Sequence, residues 1–220
     1  MPKITSVESQ KKNPKRFNIF LDGEFAFGAD EDLVVNRRLV VGKVINAEDL
    51  QKILFEAEVG KLMEKMYRWF ALRQHSEKEV REKFRIKNYE LRIKDKEQIS
   101  QLTIDSLVET LKKKGMVNDL EFAKAWTEAR RKSKQKGIRA IKTELFQKGI
   151  DREIIEKALS VKGEGESEEE LAKKALERKL RSWKSLEPQA SRKKAYEYLM
   201  RKGFEYEIVK DVIENLLKKE

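Results

Sequence analysis

The segment ARRKSKQKGIRAIK at residues 129–142 holds the densest group of chemically active side chains in the sequence. Its seven cations, with no acid among them, are Arg130, Arg131, Lys132, Lys134, Lys136, Arg139 and Lys142. Lysine and arginine can hold the phosphates of a nucleic-acid backbone. Cations at the C-terminal end of a helix also complement the helix dipole. Both interpretations stay open, and we expect residues 130–134 to lie on a solvated helix end, with the next helix beginning at Gly137.

A second basic run alternates along residues 81–87 as Arg81, Lys83, Arg85 and Lys87. Alternate positions spread around a helix instead of sharing one face. Three glutamates between residues 77 and 82 partly offset this charge. We therefore favour a solvated surface here, and retain Arg81 and Arg85 as candidate contacts with nucleic acid.

The other residue types give no sign of catalysis. The phosphate-binding loop G-x-x-x-x-G-K-[ST] is absent, and the one G-x-G, at Gly163 and Gly165, follows no predicted strand. Cysteine is absent and His75 is the single histidine, which is too few ligands for a zinc site and leaves no nucleophile–base pair. We expect a protein that is not an enzyme and that requires no metal or cofactor.

The net charge of +11 is concentrated in the middle of the sequence. Residues 61–115 carry +6 and residues 116–162 carry +5, whereas both ends are close to neutral. A localised positive field attracts polyanions, of which DNA and RNA are the commonest. The N-terminus lacks an apolar signal segment, and no apolar run approaches the roughly 18 residues of a membrane span. We expect a cytoplasmic protein that binds nucleic acid and does not contact a membrane.

The first 45 residues have the pattern of a small antiparallel sheet. Apolar residues alternate over 17–21 and again over 25–27, on either side of Asp22-Gly23. An Asp-Gly pair between alternating runs predicts a type I′ hairpin. Ile4 and Val7 can supply a third strand. From Asn46 onward the apolar period becomes that of helices.

A helix-ending pattern recurs three times, as an apolar residue, a lysine, a residue that tolerates positive φ and a second apolar residue. The copies are Phe84–Tyr89, Leu145–Ile150 and Leu199–Phe204. We predict that Asn88, Gly149 and Gly203 each end a helix. Each unit would contain three helices, and the units would pack in series because none can bury its apolar faces alone.

Motifs in a fixed order give the sequence a family resemblance. Leu72–Val80 resembles R-x-x-S-x-x-E-L. MVND at 116–119 with the following Phe122-Ala123 resembles L-N-D-x-x-F-A. Arg130–Ile150 resembles R…K-G-x-x-x-I-x-x-E-L-x-x-K-G-I, and RKGFEYEIV at 201–209 resembles R-R-G-F-x-x-x-x-I. On these motifs the sequence is identified as a member of the RecX family, in its longer, Gram-positive-type form with an N-terminal hairpin extension.

The resemblance implies a mainly α fold of three tandem three-helix repeats in a curved modular array, preceded by the small antiparallel β hairpin or sheet. We place the β module at 1–45 and the repeats at 46–116, 117–162 and 163–220. The first repeat departs from the family pattern. Asn88 replaces the usual glycine, and about ten residues are inserted within Leu91–Leu102.

The resemblance also implies a regulator of homologous recombination and DNA repair. Such a protein binds in the groove of the RecA–DNA filament and mostly inhibits RecA's ATPase, strand exchange and co-protease activities. The implied partners are RecA and non-specifically bound single- and double-stranded DNA, with the regulator acting as a monomer. Two alternatives remain: a sequence-independent helical DNA- or RNA-binding protein, and a helical adaptor that needs no nucleic acid. Activity that depends on RecA and nucleotide would separate the family function from both.

Overall fold

The N-terminal module is a three-stranded antiparallel sheet followed by a short helix. The computed structural model describes residues 1–160, 166–183 and 187–217. The strands are β1 (Ile4–Gln10), β2 (Asn13–Leu21) and β3 (Glu24–Asp30), in the order β1-β2-β3. Asp22 and Gly23 both take positive φ, at 49° and 90°, which confirms the predicted type I′ turn. Helix α1 (Glu31–Asn36) was not expected in this module; Asp30 begins it by accepting the N–H of Leu33.

Three triplets of helices follow the module. They are α2 (Ala47–Phe70), α3 (Glu77–Ile93) and α4 (Gln101–Lys113), then α5 (Asp119–Lys134), α6 (Ile138–Gln147) and α7 (Arg152–Ser160), then α8 (Glu168–Leu180), α9 (Pro188–Lys202) and α10 (Tyr206–Leu217). This architecture confirms the predicted fold class of three-helix repeats after a small sheet. The exact repeat limits stay predictions, and the boundary after residue 162 lies outside the described residues.

The chain divides into two compact units. The first comprises Met1–His75 and Val80–Val117, and the second comprises Ser76–Glu79 with the residues from Asn118 onward. In the first unit, Ile53 and Ala57 of α2 share a core with the sheet, while Met66 shares one with α4. In the second unit, α5–α7 and α8–α10 each enclose a core of their own.

The first copy of the helix-ending pattern behaves differently from the prediction. Asn88 does not end α3, which continues to Ile93. The side-chain amide of Asn88 donates to the carbonyl of Ile99 and accepts the N–H of Ile99, at 2.8 and 2.9 Å. The inserted residues therefore lengthen α3 and form a loop that Asn88 ties back to the helix. Asp95, in this loop, takes the positive φ of 50°.

The second and third repeats meet end to end inside the second unit. Helix α6 begins where α9 ends, because the N–H of Gly137 donates to Lys202 O at 3.0 Å and the N–H of Arg139 donates to Gly203 O at 3.1 Å. These bonds pair backbone groups that helix ends otherwise leave without partners. A Cβ on Gly137 would lie 2.3 Å from Gly203 O, so this approach requires glycine.

Residues 76–79 meet the end of α6 in a similar way. Ser76 Oγ donates to Lys148 O at 2.8 Å, and Lys148 Nζ pairs with Glu79 Oε1 at 2.5 Å. At both contacts in the second unit, the start of the second helix of one repeat therefore lies against the end of the second helix of the following repeat. This shared contact gives the recurring Lys-Gly pair a structural role.

Candidate nucleic-acid interface

The basic segment 129–142 forms a corner between α5 and α6. Gln135 follows α5 in the left-handed conformation with φ 43°, and its N–H bonds back to the last turn of the helix. Gly137 then takes an extended conformation as the residue before α6. Only residues 135–137 separate α5 from α6, and Arg130 of α5 and Lys136 before α6 both reach Glu144.

Two of the cations and one neighbouring indole converge on one carboxylate. Glu144 of α6 accepts from Arg130 Nε at 2.6 Å, from Trp126 Nε1 at 2.8 Å and from Lys136 Nζ. The Arg130 guanidinium also lies 4.0 Å from the centre of the Trp126 ring, a cation–π contact. Burial raises the pKa of Glu144, but hydrogen bonds from Lys136, Arg130 and Trp126 outweigh it and leave the pKa at about 2. Arg130 and Lys136 therefore already share one ion-pair partner within the second repeat.

Arg131 joins the second repeat to the third. It donates to Glu168 Oε1 at 2.9 Å and to Glu166 O at 2.6 Å. Glu168 also accepts the N–H of Ile138 at 3.1 Å. Burial raises the pKa of Glu168, although the Ile138 hydrogen bond and the charge of Arg131 oppose that shift. The expected solvated helix end is thus wrong for Arg130 and Arg131. Each is 23% exposed, because carboxylates of α6 and α8 reach them.

The remaining candidates fall into two groups. Lys142 pairs with Glu156 at 2.8 Å, and in the first unit Arg81 pairs with Asp105 at 2.5 Å and Arg85 with Glu82 at 2.6 Å. Within the segment, the exposed cations without an ion pair to any described residue are Lys132, Lys134 and Arg139. These three are the members of the segment with charge available for an external anion.

Replacing Glu144 with glutamine is expected to destabilise the second unit by on the order of 2 kcal/mol at neutral pH, after allowance for solvent screening. Because the folded-state pKa is depressed, this stability is fully present above pH 4.5 and is lost as the pH falls toward 2. Thermal unfolding from pH 7 downward should show the wild type and Glu144→Gln converging in acid.

A matched control is Glu156→Gln, which removes a more exposed carboxylate paired with Lys142. Exposed ion pairs contribute about 1 kcal/mol or less, so this variant should stay close to the wild type. If Glu144→Gln unfolds at the wild-type temperature at neutral pH, the carboxylate does not hold the corner together.

The described residues contain no cluster of three or more His, Cys, Asp or Glu side chains that could hold a metal ion. None of the helices in the described part of the chain has both the length and the apolar character of a bilayer span.

Comparison with known proteins assigns the chain to a family. Models of the RecX N-terminal domain, the second RecX three-helix domain and the third match residues 2–46, 118–159 and 166–213. The regulatory protein RecX of Listeria monocytogenes serovar 1/2a is 32% identical over 94% of this chain and 73% of its own length. This chain belongs to the RecX family. The regulatory protein RecX of Bacillus velezensis is 33% identical over 97% of the chain and 77% of that protein.

Two crystal structures share the RecX fold. A regulatory protein RecX aligns with a TM-score of 0.72 over 100% of both chains at 24% identity. RecX from Lactobacillus salivarius aligns with a TM-score of 0.57 over 72% of this chain and 96% of that one, at 23% identity. At these identities the likeness extends to the fold alone, and it agrees with the predicted architecture.

The cations of this RecX corner could be predicted from the sequence, but the acids that pair with them were not. Glu144 is the glutamate of the E-L pair in the motif through which the sequence resembles the RecX family. Glu168 opens α8, far away in sequence from Arg131. The signal for Glu144 was available, because it lies one position from the buried Leu145 and so borders the core. The partnership with Glu168 depends on packing between repeats, which no local pattern reveals.

Proposed function

We propose that this RecX-family chain regulates homologous recombination and DNA repair by binding the RecA–DNA filament, where it inhibits ATP hydrolysis, strand exchange and co-protease action. The observation that carries the proposal is membership of a family of regulatory proteins, through matches to its N-terminal, second and third domains. The proposal makes the chain a non-enzymatic, cytoplasmic regulator that acts as a monomer and uses no cofactor.

The nucleic-acid part of the proposal rests on uncompensated charge. Lys132, Lys134 and Arg139 are exposed on one corner of the second unit without an ion pair to a described residue. Such cations bind phosphates regardless of base sequence, on single or double strands. The ion-paired Arg130, Arg131, Lys136 and Lys142 of the same segment would shape the surface and keep it rigid. Arg81 and Arg85, also ion-paired, would be secondary contacts from the first unit.

The filament itself is the test of the proposal. The protein should co-sediment with RecA filaments on single-stranded DNA, in the presence of a non-hydrolysable ATP analogue, at concentrations that leave naked DNA unbound. A filament presents protein and phosphate together, and a ligand that contacts both binds more tightly than one that contacts phosphate alone. Equal affinity for naked and RecA-coated DNA would instead identify a general nucleic-acid binder. Binding to RecA in the absence of DNA would identify an adaptor.

A further inference from the structure

A strongly cationic cavity lies in the second unit, where the C-terminal ends of α5, α8 and α9 come together. Its volume is about 650 Å³. The lining side chains are Ser133, Lys134, Gln135, Lys136, Arg178, Lys179, Ser182, Tyr198, Arg201 and Lys202. Six of these ten described residues are cations and none is an acid, so the cavity is a candidate anion site.

Helix dipoles account for only part of this charge. Three helix C-termini together supply roughly one and a half negative charges. Glu144, bonded to Lys136 from outside the lining, supplies one more. Against six cations this leaves an excess of roughly three and a half positive charges. Complementing the helix ends therefore does not explain the number of cations gathered here.

The pKa of Lys202 reflects both its burial and the repulsion between the cations of the cavity. Burial lowers the pKa of Lys202, and the charges of Arg178, Lys136, Lys179 and Lys134 lower it further. An anion in the cavity would act in the opposite direction, because an opposite charge nearby favours the protonated ammonium. The cavity thus holds an electrostatic stress that a bound anion would relieve.

Tyr198 supplies a polar neutral group in the middle of this charge. Lys202 Nζ and Lys179 Nζ lie 5.4 and 5.8 Å from the centre of its ring. Burial raises the pKa of Tyr198, although Arg178 and Arg201 act against the shift, so the phenol stays protonated and can donate a hydrogen bond.

The second repeat provides an internal comparison. When Leu145-x-x-Lys148-Gly149 is aligned with Leu199-x-x-Lys202-Gly203, Tyr198 occupies the position of Glu144. In the second repeat that position is the carboxylate that neutralises Arg130 and Lys136. In the third repeat a tyrosine stands there, and cations surround it without an acid in the described lining. At this position the third repeat therefore lacks the counter-anion that the second repeat has.

We propose that this cavity binds a phosphate group of the DNA backbone, which takes the place that Glu144 fills in the second repeat. The exposed Arg178 and Arg201 would reach the phosphate oxygens, and the Tyr198 hydroxyl and Lys202 would meet it from the less exposed side. This assignment rests on the proposed DNA contact. It adds a pre-formed site beside the exposed cations of residues 132–139, and Lys134 belongs to both.

Two variants remove the site in different ways, and a third is the control. Arg178→Gln with Arg201→Gln removes two exposed cations, and Tyr198→Glu restores the internal carboxylate. Lys193→Gln with Lys194→Gln removes the same charge from exposed positions of α9 outside the cavity. Each protein is tested for binding of labelled single-stranded DNA by fluorescence anisotropy over a salt series, and for thermal unfolding with and without pyrophosphate.

Both cavity variants are expected to bind DNA about tenfold more weakly near 0.1 M salt, with a log–log salt slope smaller by about 1 to 2, because one or two phosphate contacts are lost. The same variants should unfold at a slightly higher temperature than the wild type at low salt, since repulsion is relieved. Pyrophosphate should stabilise the wild type and the control but neither cavity variant. A residue with a merely structural role would lower the unfolding temperature instead.

The proposal is overturned if the double arginine variant binds DNA with wild-type affinity and salt slope. Should pyrophosphate still stabilise the wild type and the control but neither cavity variant in that case, the cavity serves a free polyphosphate and the assignment to DNA is wrong. Co-sedimentation with RecA filaments separates the two claims. If the protein binds filaments while its cavity variants retain full DNA affinity, only the assignment of the cavity as a phosphate site is refuted. Failure to bind filaments, with the cavity effects present, would refute the regulatory function alone.

Discussion

Gly203→Ala is expected to lower the free energy of unfolding of the second unit by about 3 kcal/mol, the sum of backbone strain and overpacking. Gly203 has φ +86°, a conformation that a Cβ makes unfavourable. That Cβ would also lie 2.3 Å from the backbone nitrogen and 2.4 Å from the Cβ of Ala140. The substitution therefore opposes both the end of α9 and its contact with the start of α6.

Thermal unfolding measures this effect, which corresponds to a fall of about 10 °C for a protein of this size. Gly115→Ala is the matched control. Gly115 also has a positive φ, +69°, but a Cβ there would meet nothing within 4 Å. It should lose only the conformational contribution, about 1 kcal/mol. Equal losses for the two variants would mean that the repeats are not held together through the close approach at Gly203.

Reversing three charges, as Lys132→Glu, Lys134→Glu and Arg139→Glu, is expected to weaken DNA binding by about 100-fold or more near 0.1 M salt. Each lost phosphate contact removes about 0.9 from the log–log salt slope, so three contacts should reduce it by about 2.7. Fluorescence anisotropy of a labelled oligonucleotide over a salt series gives both quantities. The fold should survive, because exposed cations without ion pairs contribute little to stability.

The control for this variant carries the same change of charge elsewhere in the second unit. Lys193, Lys194 and Lys210 are exposed on α9 and α10 and lie outside the basic corner. Their reversal to glutamate lowers the net charge equally, so only the general attraction to DNA should fall. If both triple variants lose the same affinity, binding follows net charge and the corner is not a specific contact surface.

Features set by local backbone preferences could be predicted from the sequence. The Asp22-Gly23 turn and the helix ends at Gly149 and Gly203 all require positive φ, which few residues adopt readily. The types and spacing of these residues therefore predicted the hairpin and two of the three helix ends of the repeats. The prediction that Asn88 ends a helix was wrong, because its side-chain amide pairs with the backbone of Ile99, eleven residues later.

The chemistry of the cationic surface depended on contacts between distant residues. The sequence showed the cations at 130–142 but not that Glu144 and Glu168 neutralise some of them. The net charge of residues 163–220 did not indicate the cations of the cavity, because acids elsewhere in the third repeat bring this segment close to neutral. Aligning the second and third repeats by sequence places Tyr198 opposite Glu144. The meaning of this difference required knowing what Glu144 contacts.

Inhibition of RecA can be measured through its steady-state rate of ATP hydrolysis on single-stranded DNA, with increasing amounts of this protein. We expect the rate to fall in proportion to filament occupancy, and we expect no ATP hydrolysis by the protein when RecA is omitted. The Lys132, Lys134 and Arg139 variant should need a much higher concentration for the same inhibition. An unchanged hydrolysis rate, at concentrations where sedimentation shows the filament to be saturated with the protein, would mean that the protein does not inhibit RecA.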